Sequence, residues 1–144
     1  MVDVSSKPET ERVAVAQGRV RLSAEVFALI TKKSLPKGDL GPVVRLAGIA
    51  GAKWTGNLIP LCHPIRLTDI DVQMSLDESE HSVIIRATTR TVERTGVEME
   101  AMTAVSVACL TVYDMVKAVD RETRIESISL LSKTGGQSGD WSRT

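Results

Sequence analysis

The sequence predicts an α+β domain of two layers, an antiparallel or mixed sheet with helices on one face, in the order βααββαβ. Three observations predict it. Residues 67–76 alternate cleanly, Ile70, Val72, Met74 and Leu76 on one face and Asp69, Asp71, Gln73 and Ser75 on the other, the period of a half-buried strand. After the turn DESE at 77–80, residues 82–92 return with Val83, Ile85 and Ala87 inward and complete a hairpin. From Gly96 to Val119 runs an apolar segment with no charge between Ala101 and Tyr113. As a helix it would be ~35 Å long. A membrane span needs ~20 apolar residues, more than this uninterrupted run supplies. Its apolar side chains fall on every face, so a sheet alone cannot cover it, and a second partner is expected, another subunit being one candidate.

The other elements follow in chain order. Residues before Glu11 read as an arm. Arg12 to Leu22 read as a strand in which Val13 and Val15 keep one phase and Val20 and Leu22 the other, so a bulge is expected at Gly18. Ser23 can cap a helix from Ala24 to about Lys32, with Val26, Phe27 and Ile30 on one face. SLPKG at 34–38 is a loop. Asp39 can cap a second helix, to about Gly56, with Pro42 in its first turn and Gly48 and Gly51 letting another backbone approach. NLIPLCHPI at 57–65 carries two prolines around Cys62 and His63 and reads as a fixed, extended loop. Thr95 and Gly96 open the long helix, Thr123 to Leu131 gives a last strand, and residues 134–144 read as a flexible, Gly- and Ser-rich tail. The whole, residues 1–144, is one domain.

Composition narrows the function classes. Eighteen basic and eighteen acidic residues cancel, which removes the basic field that nucleic-acid affinity rests on. Aromatics are 3%, too few for base-stacking platforms. Cys62 and Cys109 form no short metal or redox spacing, and residues 1–12 have no apolar signal core, so the reading is a soluble cytoplasmic protein without structural disulfides, and with no nucleic-acid or membrane partner.

The ionisable residues of interest sit at the ends of the long helix and in the loops. Asp114 and Lys117, three apart, share a helix face; they suit either a surface bridge of ~0.2–0.5 kcal/mol or an acid/base pair, because they follow directly on the apolar run. Glu98 and Glu100 suit either favourable charge at a helix N-terminus or a site. Adjacent residues of an extended segment point opposite ways, so Cys62 and His63 are a poor catalytic dyad. Lys37, Lys53 and Lys133 are by default solvated, and Thr134-Gly135-Gly136 weakly resembles a backbone nest for phosphate.

The segments LIPLCHPI (58–65), TGVEMEAMTAVSVACLTVYDMVKAVD (95–120), KGD (37–39), RLAGIAGAK (45–53) and LLSKTGGQSGD (130–140), with MVDVS at the start, closely resemble the molybdenum-cofactor biosynthesis protein C family. The likeness covers nearly the whole chain. It implies a ferredoxin-like fold, a hexamer assembled as a trimer of dimers, and sites at subunit interfaces. It further implies a lyase that converts (8S)-3′,8-cyclo-7,8-dihydroguanosine 5′-triphosphate to cyclic pyranopterin monophosphate and diphosphate. By the family pattern Asp114, Lys117, Lys37 and His63 are catalytic. Leu61, Cys62, His63, Met99, Glu100, Glu98, Lys53, Lys133 and Asp3 bind or adjoin the substrate. No cofactor or fixed metal ligand set is expected, any divalent ion arriving on the phosphates. The rival from another class is an idle nucleotide-binding domain on the same scaffold, against which the complete ionisable set speaks.

Overall fold

The computed structural model describes residues 1–144. It consists of β1 (Thr10–Arg21), α1 (Ala24–Thr31), α2 (Leu40–Leu58), β2 (Asp69–Asp77), β3 (Ser82–Glu93), α3 (Glu98–Val116), β4 (Arg124–Thr134) and β5 (Trp141–Ser142). Every strand pair is antiparallel and the sheet order is β2-β3-β1-β4-β5. Without the short α1 and β5 the path is βαββαβ with β1 and β3 central, the ferredoxin-like arrangement that was expected. Helix α3 lies over β1, β3 and β4, and α2 packs beside α3 and over β2.

Local chemistry explains the elements. Ser23 caps α1 by accepting from the Val26 N–H, and Asp39 caps α2 by accepting from the Gly41 N–H, both as the sequence predicts. The buried Thr89 hydroxyl donates to the Val97 carbonyl at 3.0 Å and so fixes the start of α3 against the sheet. That helix begins at Glu98 and ends at Val116, shorter at each end than the apolar stretch suggests.

The bulge expected at Gly18 is not there. β1 pairs with β3 without a break, and Arg12, Ala14, Ala16, Gly18 and Val20 all face the helices in one unbroken alternation. The phase change inferred from Val13 and Val15 was misleading, since these larger residues lie on the other face of the sheet. Gly18 is there for closeness: a Cβ would meet Val105 Cγ1 at 2.6 Å and Cys109 Sγ at 2.7 Å, so α3 can press on β1 only over a glycine. The register shifts fall instead between β1 and β4, where Leu131 and Glu126 are the extra residues.

The second partner of α3 is α2 of the same chain. A Cβ at Gly48 would come within 3.3 Å of the Ala104 carbonyl and one at Gly51 within 3.2 Å of the Thr103 carbonyl, so this glycine pair brings two helix backbones together inside the subunit. What stays uncovered is an outward stripe, Val43, Leu46, Trp54 and Leu58 on α2 with Met99 and Leu110 on α3. Leu46 is 68% and Leu110 59% exposed.

The last segment turns back on itself. β4 runs to Thr134, beyond the predicted Leu131, and Trp141 and Ser142 pair with Lys133 and Ser132 as a short fifth strand that the sequence analysis did not anticipate.

Candidate functional site

Two cavities open side by side at the N-terminal end of α3. The first, about 380 Å³, is half apolar: Leu61, Cys62 and His63 come from the proline-held loop, Met99 and Glu100 from the first turn of α3, and Val2 from the arm. The second, about 360 Å³, is polar and basic, with Lys7, Arg12, Arg94 and Lys133 in its walls. Lys7, Thr95, Gly96 and Glu98 line both, so the two form one continuous cleft.

The fold explains how these groups arrive. Pro60 and Pro64 keep residues 60–65 out of regular structure and carry His63 across to α3. The extension of β4 to Thr134 carries Lys133 to Glu98, with Nζ 3.1 Å from Oε1. The arm is pinned beside the cleft, since Arg94 Nη1 donates to the Ser5 carbonyl at 3.1 Å and Asp3 Oδ1 accepts from the Ser5 N–H at 2.9 Å. That backbone N–H, first of all, holds the Asp3 carboxyl below its usual range, and the charge of nearby His63 adds to it.

Glu100 is the unusual group of this end. It is 3% exposed, its Oε2 has no hydrogen-bond partner, and burial, aided by the charge of Glu98, pushes its carboxyl up to about 7. Burial also raises the Cys62 thiol, with Glu100 adding to the effect, which disfavours the thiolate and agrees with the sequence argument against a Cys/His dyad.

The other predicted set gathers at the far end of α3. Asp114 Oδ1 meets Lys117 Nζ at 2.7 Å and Oδ2 meets Lys37 Nζ at 2.7 Å, while Lys37 also donates to the Asp114 carbonyl at 2.8 Å. The hydrogen bond from Lys117, then that from Lys37, hold the Asp114 carboxyl down at about 2. Within one chain the three side chains are 43–54% exposed, so Asp114 and Lys117 lack the partial burial that would make a lysine after an apolar run easy to deprotonate. Fourteen residues separate Glu100 from Asp114, ~21 Å along the helix. A single chain therefore does not unite the predicted catalytic set. Lys53 stands apart from both clusters, exposed on α2.

Sequence reasoning missed Lys7, Arg12 and Arg94. Lys7 and Arg94 carry no local signal. Arg12 did carry one, because an arginine in phase with Ala14, Ala16 and Val20 is a charge on the helix-covered face of a strand.

The sequence profile of the MoaC family matches residues 1–136. The chain belongs to the MoaC family. A Cereibacter sphaeroides protein named cyclic pyranopterin monophosphate synthase is 57% identical over 139 residues, 96% of this chain and 87% of that protein. A Brucella ovis protein of the same name is 56% identical over 141 residues, 98% of this chain and 86% of that protein. Membership makes this MoaC chain an enzyme of molybdenum cofactor biosynthesis, a lyase of the cyclic pyranopterin monophosphate synthase type.

Proposed function

We propose that the cleft at the N-terminal end of α3 takes the cyclised nucleotide triphosphate, its pterin-forming ring in the half-apolar cavity and its phosphates in the basic one. The observation that carries this reading is the junction of the two cavities through Lys7, Thr95, Gly96 and Glu98: a flat ring and a polyanionic chain, joined, are what such a cleft suits. Lys7, Arg12, Arg94 and Lys133 neutralise the triphosphate, and the only acid among them, Glu98, is already paired with Lys133. Leu61, Cys62, His63, Met99 and Glu100 surround the ring.

The reaction forms one P–O bond to the phosphorus nearest the sugar and breaks the anhydride behind it, so diphosphate leaves with its charge held by the basic wall. Ring opening and re-closure move protons at several atoms, work suited to His63, Glu100 and the trio Lys37, Asp114 and Lys117. The trio reaches the ring from a neighbouring copy. The uncovered stripe of Val43, Leu46, Trp54, Leu58 and Leu110 supports an assembly in which such copies meet, a hexamer built from dimers working in the cytoplasm. Lys53, exposed on α2 close to that stripe, joins the site by the same route.

Incubation of the assembled protein with the cyclised substrate, followed by mass analysis, tests the reading. One diphosphate released per cyclic pyranopterin monophosphate formed is the expected result. Tight binding without diphosphate release would make the chain a nucleotide-binding module instead.

A further inference from the structure

Arg12 is 9% exposed, its Nε has no hydrogen-bond partner, and it takes part in none of the ion pairs of the chain. A buried guanidinium without an anion is costly, and something must hold it ready in the cavity wall. Two glycines lie against it, where any side chain would intrude. Gly135 and Gly136 have φ of +89° and +83°, and a Cβ at Gly136 would fall on the Arg12 guanidinium, as one at Gly135 would fall on the Glu11 carbonyl.

The turn they make is itself fixed. The Gly135 N–H donates to Asp140 Oδ1 at 3.1 Å, the Gly139 N–H to the Gly136 carbonyl at 3.2 Å and Lys133 Nζ to Ser138 Oγ at 2.7 Å, while β5 closes the loop on β4. With its N–H given to Asp140, Gly135 is no donor for a phosphate, so the nest suggested by the Thr-Gly-Gly sequence is not the reason for this glycine pair.

We propose that the Gly135–Gly136 turn, latched by Asp140, is a clamp that positions the Arg12 guanidinium toward the phosphate chain of the substrate. The proposal rests on the reading of the basic cavity as the phosphate site. Gly136 and Asp140 then act through Arg12 and touch no substrate.

Gly136→Ala puts a methyl group where the guanidinium lies, and the end of an arginine side chain yields more readily than the backbone. Gly139→Ala is the control within the same turn: it keeps the N–H that bonds the Gly136 carbonyl, and with a φ of +69° and nothing within 4 Å it carries the backbone strain without the contact on Arg12. Calorimetric binding of inorganic diphosphate to the full-length protein should weaken about tenfold in Gly136→Ala, and stay within about twofold in Gly139→Ala. In turnover of the cyclised substrate the loss should appear in KM more than in kcat. In an Arg12→Ala background, Gly136→Ala should cost nothing further, since both changes remove the same interaction. Asp140→Ala, which opens the latch without crowding Arg12, should shift the affinity in the same direction and keeps the test available if Gly136→Ala assembles poorly. Diphosphate affinity in Gly136→Ala equal to that of Gly139→Ala, no change in Asp140→Ala, or a full additional loss on top of Arg12→Ala would each overturn the clamp. Unchanged affinity in Arg12→Ala itself would instead overturn the phosphate site on which the clamp depends.

Discussion

One helix presents a carboxylate near each end, and the two are driven in opposite directions. Glu100, in the first turn of α3, is buried beneath the arm and the 57–65 loop and its carboxyl is raised to about 7; Asp114, in the last turn, is open to solvent between two lysines and its carboxyl is held at about 2. The first end is enclosed by five parts of the same chain, the arm, the start of β1, the proline loop, the start of α3 and the end of β4. The second end consists of three charged side chains on the surface, each about half exposed. An acid that can be protonated near neutrality and an ion-paired carboxylate that stays charged are different tools. On the proposed function, the difference means that the chain finishes the binding half of the site by itself and leaves the proton-moving half to be enclosed by a neighbour.

The largest effect that would break or sharpen this contrast comes from mixing. Glu100→Ala and Asp114→Ala damage opposite ends, and each protein alone should be nearly inactive. If every site takes one end of α3 from each of two copies, co-assembled 1:1 mixtures regain an intact pairing in about a quarter of their sites, with activity to match. A well-assembled mixture that stays inactive would mean that the two ends never serve one site.

Lys117→Arg asks whether the exposed end does chemistry. Arginine keeps a charge for Asp114 but does not readily give up its proton. Turnover should fall ~10²-fold or more while nucleotide binding, which the proposed function assigns to the other end, persists. Near-normal turnover in an assembled variant would leave the Asp114–Lys117 pair as an exposed bridge and shift proton transfer to Lys37 or His63.

The same contrast separates what could be read from the sequence from what could not. The hairpin of Val72 and Ile85, the caps Ser23 and Asp39, and the core helix were legible because each is a local pattern, a period of two or a side chain answering a nearby N–H. β1 was misread because its inward residues are small: Ala14, Ala16 and Gly18 are there to admit α3, and the larger Val13 and Val15 on the far face look more core-like than they are. Of the site, the resemblance supplied Leu61 to His63, Met99, Glu100 and Lys133, which the fold does bring to one cleft. Arg12 left a mark in the phase of β1, a charge among small inward residues, but that it and Arg94 meet Lys133 in one cavity depends on β4 extending and folding back, an event of tertiary structure that local spacing does not record. The separation of Lys37, Asp114 and Lys117 from the cleft was foreseeable, since it is simply the length of the helix.

The smallest effect is a slope, and it tests the buried end alone. A carboxyl raised in the folded protein from 4.5 to about 7 binds its proton more tightly folded than unfolded. Its favourable contribution is fully present below pH ~4.5, fades as pH rises between the two values and is gone above about 7, at most ~3 kcal/mol in all. Asp114 has the opposite sign, contributing above pH ~4 and losing that contribution as pH falls toward 2, so it does not confuse the window from pH 5 to 8. Glu98, Cys62, His63 and Lys7 line the cavity around Glu100 and carry the other ionisable groups that face it. For that reason the comparison is with Glu100→Gln, which keeps the shape and all of those neighbours. Denaturation midpoints measured at fixed protein concentration should show the native protein losing stability relative to Glu100→Gln as pH rises from 5 to 7, with parallel curves above 8. Parallel curves across the whole range would mean that Glu100 is ionised in the folded protein throughout, and that the contrast between the two ends of α3 does not hold in the assembled enzyme.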